Sequence, residues 1–129
     1  MNVIEIYSDS TLSAAAETKF LMELIGKKNI VAVKVDLRKA PDLPGDADGR
    51  TGIEATIRPG LRESLGEVKL RIRGLTCGFS GTGPRCAIEC LRALGVPANV
   101  ISDETILEQM YVQRSLGSEY APGNTLHEI

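Results

Sequence analysis

The residues best suited to chemistry lie between 74 and 85, where four of the thirteen glycines join a strand-like run to a helix-like run. Glycine lets the main chain adopt positive φ and approach a ligand closely. The N–H groups ahead of a helix attract anions. We therefore expect main-chain amides and Arg85 to hold a phosphate or carboxylate there. The predicted ligand-binding residues are Gly78, Phe79, Ser80, Gly81, Thr82, Gly83, Arg85, Arg73 and Arg71.

Two simpler explanations compete with this ligand site. The spacing is neither that of a P-loop nor the dinucleotide pattern G-x-G-x-x-G, so the glycines are equally well explained by a tight strand-to-helix turn. Lys69, Arg71 and Arg73 alternate along the preceding strand and project together, with Arg58 on the neighbouring run. A row of cations can bind an anionic ligand, but it also keeps an exposed sheet face soluble.

The glycine-rich stretch resembles a segment in a group of uncharacterised bacterial and phage proteins. In that group an aromatic-glycine-glycine-x-glycine-proline sequence precedes an Ala/Leu-rich helix. The matching residues here run from Cys77 to Pro84, followed by Ala87, with Cys77 standing where the group has an aromatic residue. The resemblance covers about a tenth of the chain and implies no activity; it indicates only that the segment is one structural unit.

Enzyme hypotheses have less support in the residues. Asp9 follows the first strand, as metal-binding aspartates do in ribonuclease-H-like nucleases, but helix capping explains it more simply. A zinc site would need four soft ligands, which here are Cys77, Cys86, Cys90 and His127. Cys77 as a nucleophile lacks an evident base, because the chain has a single histidine. We predict no catalytic residue, no metal and no cofactor.

Composition excludes several classes of protein. Fifteen basic and seventeen acidic residues leave a net charge of −2, which makes a dedicated nucleic-acid or membrane-surface binder an unfavoured hypothesis. No apolar run approaches the roughly 20 residues of a transmembrane helix. The first residues lack the basic start and apolar core of a signal peptide. With three cysteines and no export signal, we expect reduced thiols and a cytoplasmic location.

Hydrophobic periodicity predicts a mixed order of elements. Apolar alternation or a helical stripe predicts most elements, and a β-branched run apolar on both faces predicts the strand at 29–37. The strands are predicted at 2–7, 29–37, 51–58, 67–73 and, as a short piece, 98–101; the helices at 11–26, 84–94 and 103–115. The first helix is expected to bury a stripe at every fourth position: Leu12, Ala16, Phe20 and Leu24. The last is expected to carry Ile106, Leu107, Met110 and Tyr111 on one side.

These elements predict a single α/β (α+β) domain over residues 1–129. The expected order is β-α-β-β-β-α-(β)-α, with a mixed sheet of four to five strands, strand 29–37 at its centre, and helices packed on it. The segment 38–50 is interpreted as a mobile loop and 116–129 as a C-terminal tail.

The favoured function is binding of an anionic ligand, such as a nucleotide or nucleotide-derived signal, for sequestration or sensing. The alternatives are a homo-oligomeric protein-interaction module of the inhibitor, immunity or adaptor type, and a metal- or cysteine-dependent enzyme.

Overall fold

The computed structural model describes residues 2–8, 11–39, 51–58 and 66–117. Most of the predicted loop 38–50 and tail 116–129 lies outside these residues. The elements are β1 (Asn2–Tyr7), α1 (Ser13–Ile25), a 3₁₀ turn (Lys27–Asn29), β2 (Ile30–Lys39), β3 (Gly52–Ile57), β4 (Val68–Arg73), β5 (Thr76–Cys77), α2 (Thr82–Ala93), α3 (Asp103–Glu108) and β6 (Tyr111–Leu116). None of the helices in the described ranges is long and apolar enough to span a membrane.

The strands form one open mixed sheet, which confirms the predicted fold class with six strands in place of four or five. β1 is parallel to β4, β4 is antiparallel to β3, and β3 is antiparallel to β2. β2 is also antiparallel to β6. The predicted antiparallel pairing of 51–58 with 67–73 and the central position of 29–37 are therefore correct.

The short strand β5 shares an edge of β2 with β3. Arg38 pairs with Tyr111 of β6 on one edge of β2, so its second partner, Thr76 of β5, must lie on the other edge. That edge pairs with β3 only as far as Asp36. After Arg73 the chain therefore passes the beginning of β3, where the Gly74 N–H donates to the Thr51 carbonyl at 3.1 Å, and then joins β2.

The core lies between one face of the sheet and the helices. Alternating strand residues point to opposite faces, and those on the helix side are buried. They include Val33, Val35, Leu37, Ile53, Ala55, Leu70 and Ile72. The helices contribute Ala14, Met22, Ala87, Leu91 and Ile106 among others. The opposite sheet face carries the polar members of each strand, which are exposed or half-buried, apart from the buried Thr56.

Helix α1 forms where it was predicted but turns a different face to the core. Phe20 and Leu24 are 60% and 67% exposed, so the predicted buried stripe is wrong. The buried residues are Ala14, Ala15, Thr18 and Met22. This set has the same spacing of four residues but smaller side chains. Small side chains allow α1 to lie close against α2, which decides between the two stripes.

The predicted strand 98–101 does not form. Residues 98–100 are in a turn, in which the N–H groups of Val100 and Ile101 donate to the Pro97 carbonyl. The Arg92 guanidinium donates to the carbonyls of Val96 and Ile101, both at 2.9 Å. Carbonyls held by a helix side chain are not available to a strand partner, so the segment becomes a connection fixed to α2.

The predicted helix 103–115 is shorter than expected and ends as a strand. α3 begins with Ser102, whose hydroxyl accepts the Thr105 N–H, and stops at Glu108. The following residues extend along the open edge of β2, where the Lys39 N–H donates to the Met110 carbonyl at 2.8 Å. An unpaired edge of a central strand outweighs a local helical preference, because each residue that pairs there satisfies main-chain groups.

Gly52 is the glycine most tightly constrained by this packing. Its φ is +150°, and a Cβ built on it would lie 1.9 Å from the Ile72 carbonyl oxygen. We expect Gly52→Ala to lower the free energy of unfolding by about 3 kcal/mol or more, since backbone must move. Gly66→Ala is the matched control: its φ is +62° with open space around the Cβ, so about 1–2 kcal/mol is expected. Equal losses in urea unfolding would contradict this account of Gly52.

Candidate functional site: a charged groove on the open sheet face

The polar face of the sheet carries two rows of side chains that cross β1, β4, β3 and β2 and continue on β6 with Ser115 and Gln113. Directly paired residues share a face, so the registers define the rows. The first row contains Glu5, Arg71, Glu54 and Lys34. The second contains Tyr7, Arg73, Gly52 and Asp36. Gly52 has no side chain, which leaves the second row open between Arg73 and Asp36.

A groove of about 430 Å³ occupies this opening. We call it the sheet groove. It is lined by Lys34, Asp36, Thr51, Gly52, Ile53, Glu54, Arg71, Ile72 and Arg73. Its volume lies within the roughly 300–1,000 Å³ range of small-molecule sites, towards the lower end.

Ion pairs hold part of the groove wall. The Arg71 Nε donates to Glu54 Oε2 at 2.9 Å, and Lys69 Nζ lies 3.8 Å from Glu54 Oε1. Arg73 Nε lies 3.3 Å from Glu5 Oε2, which also accepts the Tyr7 hydroxyl at 2.8 Å. That hydrogen bond to a carboxylate raises the pKa of Tyr7. The hydrogen bond to Glu54 fixes the orientation of Arg71, whereas the buried Arg73 Nε is near Glu5 but makes no hydrogen bond with any described residue.

Two groove residues are left without such partners. Asp36 Oδ1 is buried and accepts no hydrogen bond. Across the described residues, Lys34 makes neither an ion pair nor a side-chain hydrogen bond. The terminal nitrogens of Arg73 likewise donate to no described residue. The lining of the groove therefore includes an ammonium, a guanidinium and a carboxylate that lack a full set of partners among the described residues.

The glycine-rich turn is packed against the protein itself. The Gly78 N–H donates to the Ile106 carbonyl at 2.8 Å. The Phe79 ring lies over Gly81, where an added Cβ would be 2.6 Å from its Cε2. An added Cβ at Gly83 would be 2.1 Å from the Thr76 hydroxyl oxygen. Chain geometry and packing thus account for these three glycines, which favours the tight-turn interpretation.

The predicted site residues fall into two places. Arg71 and Arg73 line the sheet groove. The predicted residues 78–83 and Arg85 form the turn and the first turn of α2, at the end of β5. The cation beside the turn is Lys39, whose Cβ would be 3.2 Å from a Cβ at Gly78. Arg85 is exposed, and Gly81 at the helix start provides no side-chain cap.

Sequence reasoning missed Lys34, Asp36 and Gly52 as site residues. Lys34 and Asp36 stand two apart between the apolar residues of β2, which was the available signal that they share one face. Their positions in the rows of Arg71 and Arg73 depend on strand registers that pair residues 16 to 21 positions apart. Nothing local in the sequence specifies those registers.

The three cysteines do not form a site that a ligand or substrate could reach from solvent. Cys77, Cys86 and Cys90 are all free and buried. No three His, Cys, Asp or Glu side chains in the described part of the chain are grouped to hold a metal ion. His127 and Asp9, named in the zinc and nuclease hypotheses, lie outside the described residues. Burial raises the pKa of the Cys77 thiol, which makes it a poor nucleophile.

A second surface feature lies at the edge of the sheet. We call it the β1–α1 edge surface: Val3, Tyr7, Leu12, Phe20 and Leu24, all exposed large apolar or aromatic residues. Within the described chain, β1 pairs only with β4, so its outer edge is open. A hollow of about 400 Å³ between β1 and α1 is lined by Ile6, Ala16, Glu17, Phe20 and Leu21.

Comparison of the chain with protein-family models, with curated proteins and with solved structures finds no match in any of the three. A functional argument for this chain therefore starts from its own geometry.

Cys86 and Cys90 lie one turn apart on the buried face of α2 and yield a measurable prediction. The hydrogen bond from Cys90, with smaller help from the Ala15 main chain and Ser8, lowers the pKa of Cys86 to about 7, whereas the pKa of Cys90 is raised. We expect Cys90→Ala to raise the Cys86 pKa, since the largest cause is lost. Cys90→Ser should preserve it, because a hydroxyl still donates. Thiolate absorbance against pH measures both, and an unchanged titration in Cys90→Ala contradicts the pairing.

Proposed function

We propose that this protein binds a small anionic molecule in the sheet groove and sequesters or senses it without turnover. The observation that carries the proposal is the pair of unsatisfied cations, the Lys34 ammonium and the outer end of the Arg73 guanidinium, at a groove of about 430 Å³. Charge-assisted hydrogen bonds from such groups hold carboxylates and phosphates. The two β4 cations in the groove lining, Arg71 and Arg73, favour an anionic ligand.

The groove residues support binding over catalysis. Those that line the groove include no histidine and no cysteine, and the carboxylate of Glu54 is already paired with Arg71. General acid–base catalysis needs a group that is free to exchange its proton near neutral pH. A site built from cations, one paired and one unpaired carboxylate, and an open glycine position is suited to recognition. A nucleotide or nucleotide-derived signal remains within the proposed ligand class, bound through its phosphate.

The first experiment is a titration monitored by amide NMR, with inorganic phosphate, adenosine monophosphate and glutamate as probes. We expect chemical-shift changes at Lys34, Gly52 and Arg73. Lys34→Ala should weaken binding of the responding probe by about tenfold or more, the usual effect of a charged hydrogen bond. The control Lys28→Ala removes an equally exposed cation from the 3₁₀ turn and should change nothing.

The same titration separates the groove from the glycine-rich turn. Under the groove proposal, Arg85→Ala leaves affinity unchanged. If instead Arg85→Ala weakens binding and the shifts appear at Gly81 to Gly83, then the turn is the site and the groove proposal is wrong.

A protein-interaction role is the second candidate, and the β1–α1 edge surface favours it. Phe20 and Leu24 are mostly exposed although they are apolar, and they lie beside the open edge of β1. Phe20 also lines the hollow between β1 and α1; exposed apolar side chains beside a hollow are typical of interfaces, and an open edge accepts a further strand. We propose a second copy of this chain as the partner, because closed two-fold dimers are the commonest oligomers.

Light scattering after size exclusion tests this role. A dimer has twice the chain mass of 13.9 kDa, and Phe20→Glu should convert it to a monomer by placing a charge in the interface. Met110→Glu is the control, since Met110 is 69% exposed on the α3–β6 connection. A wild-type protein that stays monomeric at millimolar concentration would rule out the dimer.

A further inference from the structure

The two rows of the polar sheet face differ at one position. In the first row, Glu54 stands between Arg71 and Lys34, and its carboxylate accepts the Arg71 guanidinium at 2.9 Å. In the second row, Gly52 stands between Arg73 and Asp36. The second row therefore has no side chain between Arg73 and Asp36 that could form an ion pair or a hydrogen bond with either of them.

The charges on either side of Gly52 have opposite signs. Arg73 lies on β4 and Asp36 on β2, two strand spacings apart, so their Cα atoms are about 10 Å from each other. The terminal nitrogens of Arg73 donate to none of the described residues, and its Nε faces Glu5. Asp36 Oδ1 is buried and accepts no hydrogen bond. A group placed between them meets a donor on one side and an acceptor on the other.

The unpaired Asp36 oxygen indicates that a ligand of the groove carries a hydrogen-bond donor as well as a negative charge. A buried acceptor without a donor destabilises the folded state by roughly 1–3 kcal/mol, and more when it is charged. A purely anionic ligand would leave that cost in place and would add repulsion from the Asp36 carboxylate. A ligand that carries a cationic donor as well as an anion removes both problems.

We propose that the ligand of the sheet groove is a small zwitterion, a molecule with a carboxylate at one end and an ammonium group at the other, such as a free amino acid. This inference rests on the proposed function of the groove. The ligand carboxylate lies against Arg73, as that of Glu54 lies against Arg71. The ligand ammonium donates to Asp36. The ligand lies in the opening over Gly52, between Arg73 and Asp36, with Lys34 beside it as a further cation.

The test is a calorimetric titration of the whole protein with a length series of ω-amino acids: glycine, β-alanine, γ-aminobutyrate and 5-aminovalerate. Acetate, propionate, butyrate and valerate serve as the matched carboxylates without an amine. We expect one or two adjacent lengths of the amino acids to bind at least about tenfold more tightly than their carboxylates, the effect of one charged hydrogen bond. The preferred length measures the span between Arg73 and Asp36.

A variant pair identifies the residue responsible. Asp36→Asn keeps the shape of the side chain and removes its charge, so the preference for the amino acids over the carboxylates should fall about tenfold while carboxylate binding persists. Glu108→Gln on α3 is the control and should preserve the preference. The amide NMR spectrum of each variant establishes that the fold is intact.

The outcomes separate this inference from the proposed function. Equal binding of amino acids and carboxylates in the groove overturns the zwitterion and leaves the anion site standing. An amino-acid preference that survives Asp36→Asn also overturns it, because the ammonium is then held elsewhere. If no member of either series, and neither phosphate nor nucleotide, shifts the amides of Lys34, Gly52 and Arg73, both proposals fail together.

Discussion

Strand β2 hydrogen-bonds along both of its edges, and the positions of the other elements follow from that pairing. One edge pairs with β6, and the other pairs first with β3 and then, beyond Asp36, with β5. Its residues Val33, Val35 and Leu37 are almost fully buried under the helices. Because β5 leads directly into the turn before α2, the last two residues of β2 set where that turn lies. The polar residues of the same strand, Lys34 and Asp36, form one wall of the sheet groove.

The close approach of β3 to β4 at Gly52 links the fold to the groove. The Ile72 carbonyl occupies the space in which any other residue would place its Cβ, so the main chain requires glycine at this position. The same requirement removes one side chain from the polar face. The groove is thus a consequence of strand packing, and the charged residues around it determine what it can accept. A structural constraint and the binding site that we propose meet at one residue.

The sequence predicts most of the elements but not how they face one another. Alternation identifies β3 and β4, and a β-branched run that is mostly apolar identifies β2. In α1 two sets of residues share the spacing of four. The prediction that Phe20 and Leu24 are buried is wrong, because close packing against α2 favours the smaller side chains of Ala14 and Thr18. β6 is missed because its strand state depends on a distant, open edge of β2. For the site, Arg71 and Arg73 are found from their own strand, whereas Asp36 and Gly52 acquire a role only through register.

Solubility alone is an incomplete explanation of the charged sheet face. It accounts for Lys69 and Arg71, which pair with Glu54, and for Arg73, which lies against Glu5. A row of alternating charges on an exposed sheet stabilises little but keeps the face hydrated. It does not account for Asp36, since a buried carboxylate oxygen without a donor costs stability and contributes nothing to solubility. An unpaired acceptor of this kind beside a groove is better explained by the ligand that we propose for the groove.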